Sequence, residues 1–111
     1  MNPRFLGEFE QMVLLAILRL EDEAYAVSIL RELDERAGRS VSRGTLYKTL
    51  ERMESKGLVQ WAPEEGSPDR GGHQRRRFSV TGRGVSALQE SRDAYLSLWE
   101  GLETISGGEG K

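Results

Sequence analysis

The chain has 111 residues, 37% of them hydrophobic and 31% charged, which provides for one modest core under a well-solvated surface and so for one domain. It contains no cysteine, which excludes a disulfide framework, a thiolate nucleophile and a cysteine-ligated zinc site, and suits a reducing compartment such as the cytoplasm. Its longest apolar run, Met12 to Leu18, is far shorter than the roughly 20 residues that span a bilayer, and Glu8 and Glu10 precede it where a signal peptide would carry positive charge, so neither membrane insertion nor export is expected.

The first predicted element is a helix from Glu8 to Leu20. Phe9, Met12, Val13, Ala16, Ile17 and Leu20 share one face, while Leu14, Leu15 and Leu18 make the opposite side apolar as well. A helix apolar on both sides requires burial on both, which suggests a second subunit as well as its own domain. After the polar break Glu21-Asp22-Glu23, whose acids suit a helix N-terminus, a second helix is predicted over residues 24–37 with Gly38 as its stop. A short loop then leads to Ser42, a good N-cap for a third helix through about Lys56, with Gly57 ending it. In that helix Leu46, Leu50 and Met53 form the inward stripe with Thr49 beside it, leaving Arg43, Tyr47, Lys48, Glu51, Arg52 and Ser55 outward.

Leu58 to Ala62 and Arg75 to Val80 have strand composition, with Phe78 and Val80 alternating with polar neighbours. The loop between them is rich in glycine and proline and about a dozen residues long, so mobility is expected there in the absence of a partner. Thr81 is the expected cap of a last helix reaching about Ile105 before the tail SGGEGK. In it Val85, Leu88, Arg92, Tyr95, Trp99 and Leu102 recur by alternating steps of three and four, a short heptad seam widened by Leu96, Leu98 and Ile105 that suits dimerisation.

These elements outline a mainly α fold with a small β-hairpin wing, a winged helix-turn-helix followed by a long C-terminal dimerisation helix. Residues 1–80 would form the DNA-binding domain, 81–105 the dimerisation helix and 106–111 a flexible tail. The overall net charge of −2 conceals a strong asymmetry: from Arg36 to Arg83 eleven Lys or Arg face five acids, a net of +6, and the remainder carries −8. A local basic face of this kind can dock on a polyanionic duplex while the acidic remainder points away.

The same residues resemble the PadR-like transcriptional regulators over nearly the whole chain. The resemblance rests on Gly44-Thr45-Leu46-Tyr47 with Leu50 and Gly57-Leu58-Val59, followed by Phe78, Thr81 and Gly84. Two positions depart from the family pattern. Phe78 stands where tyrosine is frequent, and Lys48 where many members have proline, which adds a positive charge and unsettles any operator preference taken over from proline-bearing relatives. The resemblance implies a homodimeric, sequence-specific DNA-binding regulator, most often a repressor, on a pseudo-palindromic operator, in some members released by a small molecule.

Recognition, not catalysis, is the chemistry these residues offer. With the N-terminal part of the third helix in the major groove, Arg43 is the candidate base reader, because its guanidinium can bond two guanine acceptors at once. Ser42, Thr45, Tyr47 and Lys48 would orient the helix through phosphates, with Arg52 further along the outward face, although capping and packing are competing roles for Ser42 and Tyr47. Gly44 would allow close backbone approach, with packing as its alternative. On the second strand, alternation puts Arg75 and Arg77 on one face, away from Phe78, so these two are the candidate wing contacts, with Arg70, His73 and Gln74 in the loop.

His73 is the only histidine and there is no cysteine to join it, so no metal site is expected, and no cofactor. Gly71-Gly72 lacks the remaining glycines of a nucleotide fingerprint, and a serine, His73, Asp69 triad would lack an oxyanion scaffold, so an enzyme is not expected. Tyr95 and Trp99 on the last helix could sandwich a planar aromatic effector across a dimer axis, with interface packing as the alternative. A protein-interaction adaptor on the same fold is the rival to DNA binding. It has no need of Arg43, Lys48 and a basic wing.

Overall fold

A computed structural model describes residues 6–64, 75–102 and 104. The chain runs α1 (Glu8–Leu20), a 3-10 turn (Glu21–Glu23), α2 (Ala26–Ala37), α3 (Arg43–Ser55), β1 (Val59–Glu64), β2 (Arg75–Val80) and α4 (Gly82–Trp99). The strands form one antiparallel hairpin in which Trp61 pairs with Phe78 and Glu64 with Arg75. Expectations for the loop between the strands, for Ile105 and for the tail lie outside the described residues.

The core gathers Val13, Leu14 and Ile17 of α1, Ile29 and Leu33 of α2, and Leu46, Leu50 and Met53 of α3, closed by Leu58, Val59 and Phe78 of the hairpin. Each such side chain contributes about 1.5–3 kcal/mol on leaving water. The α3 stripe read from spacing is the buried set, Thr49 included. In α1 the division differs from the expected one: Leu14 joins the core, and only Leu15 and Leu18, 50% and 42% exposed, are left as an outer apolar strip.

Three boundaries move. The second helix begins at Ala26, not at 24, because the acidic triplet closes α1 as a 3-10 turn and Tyr25 is extended at φ −105°, ψ 162°. Ala24 is engaged elsewhere: its carbonyl accepts the Phe78 N–H at 2.9 Å, so this short stretch lies beside β2. The first strand runs to Glu64, and Pro63 is tolerated because β1 is the hairpin's outer strand. The last helix ends at Trp99, where Glu100 turns the backbone extended at φ −55°, ψ 128°.

Two glycines carry the junction between α3, the hairpin and α4. Gly57, at φ +77°, reverses the chain out of α3 in the left-handed region that only glycine enters freely. At Gly84 a β-carbon would stand 2.3 Å from the Leu58 carbonyl oxygen and 2.6 Å from Val80, so α4 can dock there only without a side chain. Thr81 completes the joint, its hydroxyl donating to the Gly57 carbonyl at 2.7 Å and accepting the Gly84 N–H at 3.0 Å as the α4 cap. Only the first half of α4 is packed, through Gly84, Ala87, Leu88 and Ser91. Beyond Arg92 its apolar residues Tyr95, Leu96, Leu98 and Trp99 are exposed, Leu98 by 76%, as is Leu102 just after the helix.

Candidate nucleic-acid interface

The start of α3 is built by its cap. The Ser42 hydroxyl accepts the Thr45 N–H at 3.1 Å and donates to the Thr45 hydroxyl at 3.0 Å, which satisfies one free donor of the first turn and fixes where the helix begins. From that start Arg43, Gly44, Thr45 and Lys48 are exposed, and Tyr47 leans half-buried on the core. Arg43 and Lys48 form no ion pair among the described residues. A β-carbon on Gly44 would meet only the Ser42 oxygen, at 3.9 Å, so packing within the chain gives no reason for a glycine there.

Between α3 and β2 lies a cleft of about 620 Å³ lined by Tyr25, Val27, Arg43, Tyr47, Arg75 and Arg76 among others. Helix and wing therefore present their cations to one concavity. Arg75 and Arg76 reach it in different states. The Arg75 guanidinium lies 2.9 Å from the Glu64 carboxylate and stacks 3.8 Å from the centre of the Tyr25 ring. The Tyr25 hydroxyl donates to the other Glu64 oxygen at 2.9 Å. That bond first, and then the Arg75 charge, hold the Glu64 carboxyl below its usual range, while the Tyr25 hydroxyl is pushed up because its proton is shared with Glu64. Arg76 instead stacks 4.4 Å over Trp61 and has no carboxylate partner among the described residues. Arg77 lines a different hollow, together with Glu21, Asp22 and Ser79.

Of the residues singled out from sequence, Arg43, Tyr47 and Arg75 meet in the cleft, with Ser42, Gly44, Thr45 and Lys48 on the adjoining turns of α3. Arg77 is set apart from them. Arg52 is engaged on the α1 side, its Nε donating to Glu10 at 3.1 Å. Arg70, His73 and Gln74 lie outside the described residues. Tyr95 and Trp99 line an open hollow with Leu96 on the exposed half of α4. Sequence reasoning missed Tyr25, Glu64 and the Arg76–Trp61 stack. Strand pairing carried a signal for one of them, since Glu64 faces Arg75 across the hairpin.

A helix-turn-helix whose second helix runs into a basic hairpin defines a winged helix. The model of the Transcriptional regulator PadR-like family matches residues 14–90, and the chain belongs to that family. It is 38% identical over 78 residues to Transcriptional regulator Rv3488 of Mycobacterium tuberculosis, covering 70% of this chain and 68% of that protein. A PadR-like transcription factor from Bacteroides fragilis has the same fold at a TM-score of 0.71 and 32% identity, covering 90% of this chain and 91% of its own. A PadR-like transcriptional regulator from Bacillus cereus matches at 0.70 and 23% identity, over 91% and 93%. A transcriptional regulator is what this family makes of the fold, and that is not an enzyme class. Among the described residues no helix is long and apolar enough to cross a membrane.

Proposed function

We propose that the chain binds double-stranded DNA as a homodimeric repressor, in the cytoplasm, at a pseudo-palindromic operator. The observation that carries this reading is the shared cleft in which Arg43 of α3, without an ion pair among the described residues, meets Arg75 and Arg76 of β2. An α-helix fits the major groove, and Arg43 on its first turn is placed to read guanine edges. Ser42, Thr45, Tyr47 and Lys48 set the helix on the phosphates, and Gly44 lets the backbone come close. The wing adds contacts from its arginine-rich return strand and from Arg70, His73 and Gln74. Membership of a transcriptional regulator family supports DNA over a protein partner as the occupant.

The dimer rests on a separate observation. Leu15 and Leu18 of α1 and Val85, Leu88, Tyr95 and Leu96 of α4 line a groove of about 460 Å³, continuous with the exposed far half of α4. A contiguous apolar surface of this kind calls for a partner, and two-fold pairing buries it on both copies at once. Two recognition helices then stand about one DNA turn apart. Tyr95 and Trp99 fall on the dimer surface, where a planar aromatic effector would have its site. Quenching of tryptophan emission by candidate aromatics, lost in Trp99→Phe, tests that use.

Selection of bound sequences from a random duplex pool tests the reading as a whole. A palindromic motif is the expected outcome. Failure to enrich any sequence, together with no duplex retention at low salt, would assign the fold to an adaptor role.

A further inference from the structure

Building on the DNA-binding reading, we infer that the two neighbouring wing arginines divide the work: Arg76 meets the DNA phosphate, and Arg75 is a positioning residue that pins the base of the wing to the start of α2. Arg75 is already ion-paired and stacked. Its guanidinium holds Glu64 through Nε at 3.1 Å and Nη2 at 2.9 Å, and its plane rests on Tyr25. Tyr25 in turn donates to the same carboxylate, so the three side chains form a closed set joining β1, β2 and the residue that starts α2. For Arg75 to reach a phosphate, an ion pair, a hydrogen bond and a stack must break, leaving the Glu64 charge facing the duplex without its cation.

Arg76 is in the opposite state. The Trp61 ring takes one face of its guanidinium and leaves the in-plane N–H donors without a partner among the described residues, which is the arrangement that presents a guanidinium to an anion with its rotamer already chosen. Trp61 is itself held by packing against the core and by its pairing with Phe78. Arg76 also lines the cleft that contains Arg43, so a duplex seated on α3 passes within reach of it.

The test is the salt dependence of duplex binding, measured on a selected operator for the full chain and its Arg76→Ala, Arg75→Ala, Tyr25→Phe and Glu64→Gln variants, each checked for wild-type helix content. The slope of log K against log salt counts phosphates neutralised, at about 0.9 per contact on duplex DNA. Arg76→Ala is expected to flatten the slope by about 0.9 for each protomer engaged and to weaken binding about tenfold or more at low salt. Arg75→Ala, Tyr25→Phe and Glu64→Gln are expected to keep the wild-type slope and to weaken binding by a smaller, mutually similar factor, since each opens the same three-residue set. A flattened slope in Arg75→Ala, or tighter binding by Glu64→Gln because Arg75 has been released, would overturn the inference. So would an unchanged slope in Arg76→Ala. If the wild-type chain itself shows no salt-dependent duplex binding, the parent reading fails instead, and the two failures are distinguishable.

Discussion

The Glu10 carboxylate of α1 holds the Arg52 guanidinium of α3 at 3.1 Å and the Lys56 ammonium at 3.4 Å, with the Glu10 side chain only 10% exposed. The same carboxylate accepts the Gly7 N–H at 3.1 Å. Burial alone would raise the Glu10 pKa, but the Gly7 bond, the Arg52 bond and the Lys56 charge together outweigh it and hold the group below its ordinary value. The first helix and the recognition helix are thereby tied through one charge. Because the folded-state pKa is depressed, the stabilisation is complete above the ordinary glutamate value of about 4.3 and is lost as the pH falls through the folded value. Glu10→Gln is expected to cost about 1–2 kcal/mol at pH 7, a Tm drop of roughly 5–10 °C, with the gap to wild type closing toward pH 3. Thermal melts across that range check it, and a gap that stays constant would show that the charge is not the source.

Gly84→Ala should be one of the most damaging small substitutions in the chain, because its β-carbon would stand 2.3 Å from the Leu58 carbonyl oxygen, a backbone atom that cannot step aside. A cost of about 1–3 kcal/mol is expected. Gly82→Ala, two residues earlier in the same helix with nothing within 4 Å of the added carbon, is expected to be neutral or slightly stabilising. Chemical denaturation of both variants is the comparison, and equal midpoints would contradict the close approach.

Gly44→Ala separates folding from binding. The added methyl meets only Ser42 at 3.9 Å, so the free protein should gain about 0.5–1 kcal/mol from the removal of a helical glycine. If this face meets DNA, the same methyl weakens duplex binding. A more stable variant with undiminished affinity would place the duplex elsewhere.

Leu15, half exposed on α1 beside Leu96 of α4, tests the proposed subunit contact. Leu15→Glu puts a charge into that groove without touching the monomer core. Sedimentation is expected to report a shift from dimer to monomer with helix content retained. An unshifted dimer would exclude this surface.

The backbone scheme was legible because periodicity reports burial. The spacing of Leu46, Leu50 and Met53 gave the α3 face, and the Ser42 and Thr81 caps placed two helix starts. Boundaries set by tertiary contact were not legible. The N-terminal limit of α2 depends on Ala24 receiving the Phe78 N–H, a bond across more than fifty positions that no local pattern announces. In the candidate site, strand alternation grouped Arg75 with Arg77, whereas Arg75 and Arg76 line the cleft, and it could not reveal which arginine was already engaged, because Tyr25 comes from the distant start of α2. Glu10 and Arg52 show the same limit: an outward arginine on a helical wheel is outward only until another helix supplies a carboxylate.

The most direct test of the central claim is the binding of a selected duplex by the wild-type chain and by Arg43→Ala across a salt series. Arg43 is exposed, has no ion pair among the described residues and lines the cleft between recognition helix and wing, so its loss should leave the fold intact. Wild-type affinity is expected to fall linearly in log–log form as salt rises, and Arg43→Ala to lose about 1–3 kcal/mol on the selected sequence and to discriminate less well at one base position of each half-site. Equal affinity and equal sequence preference in the two proteins, or no duplex binding by the wild type at low salt, would contradict it.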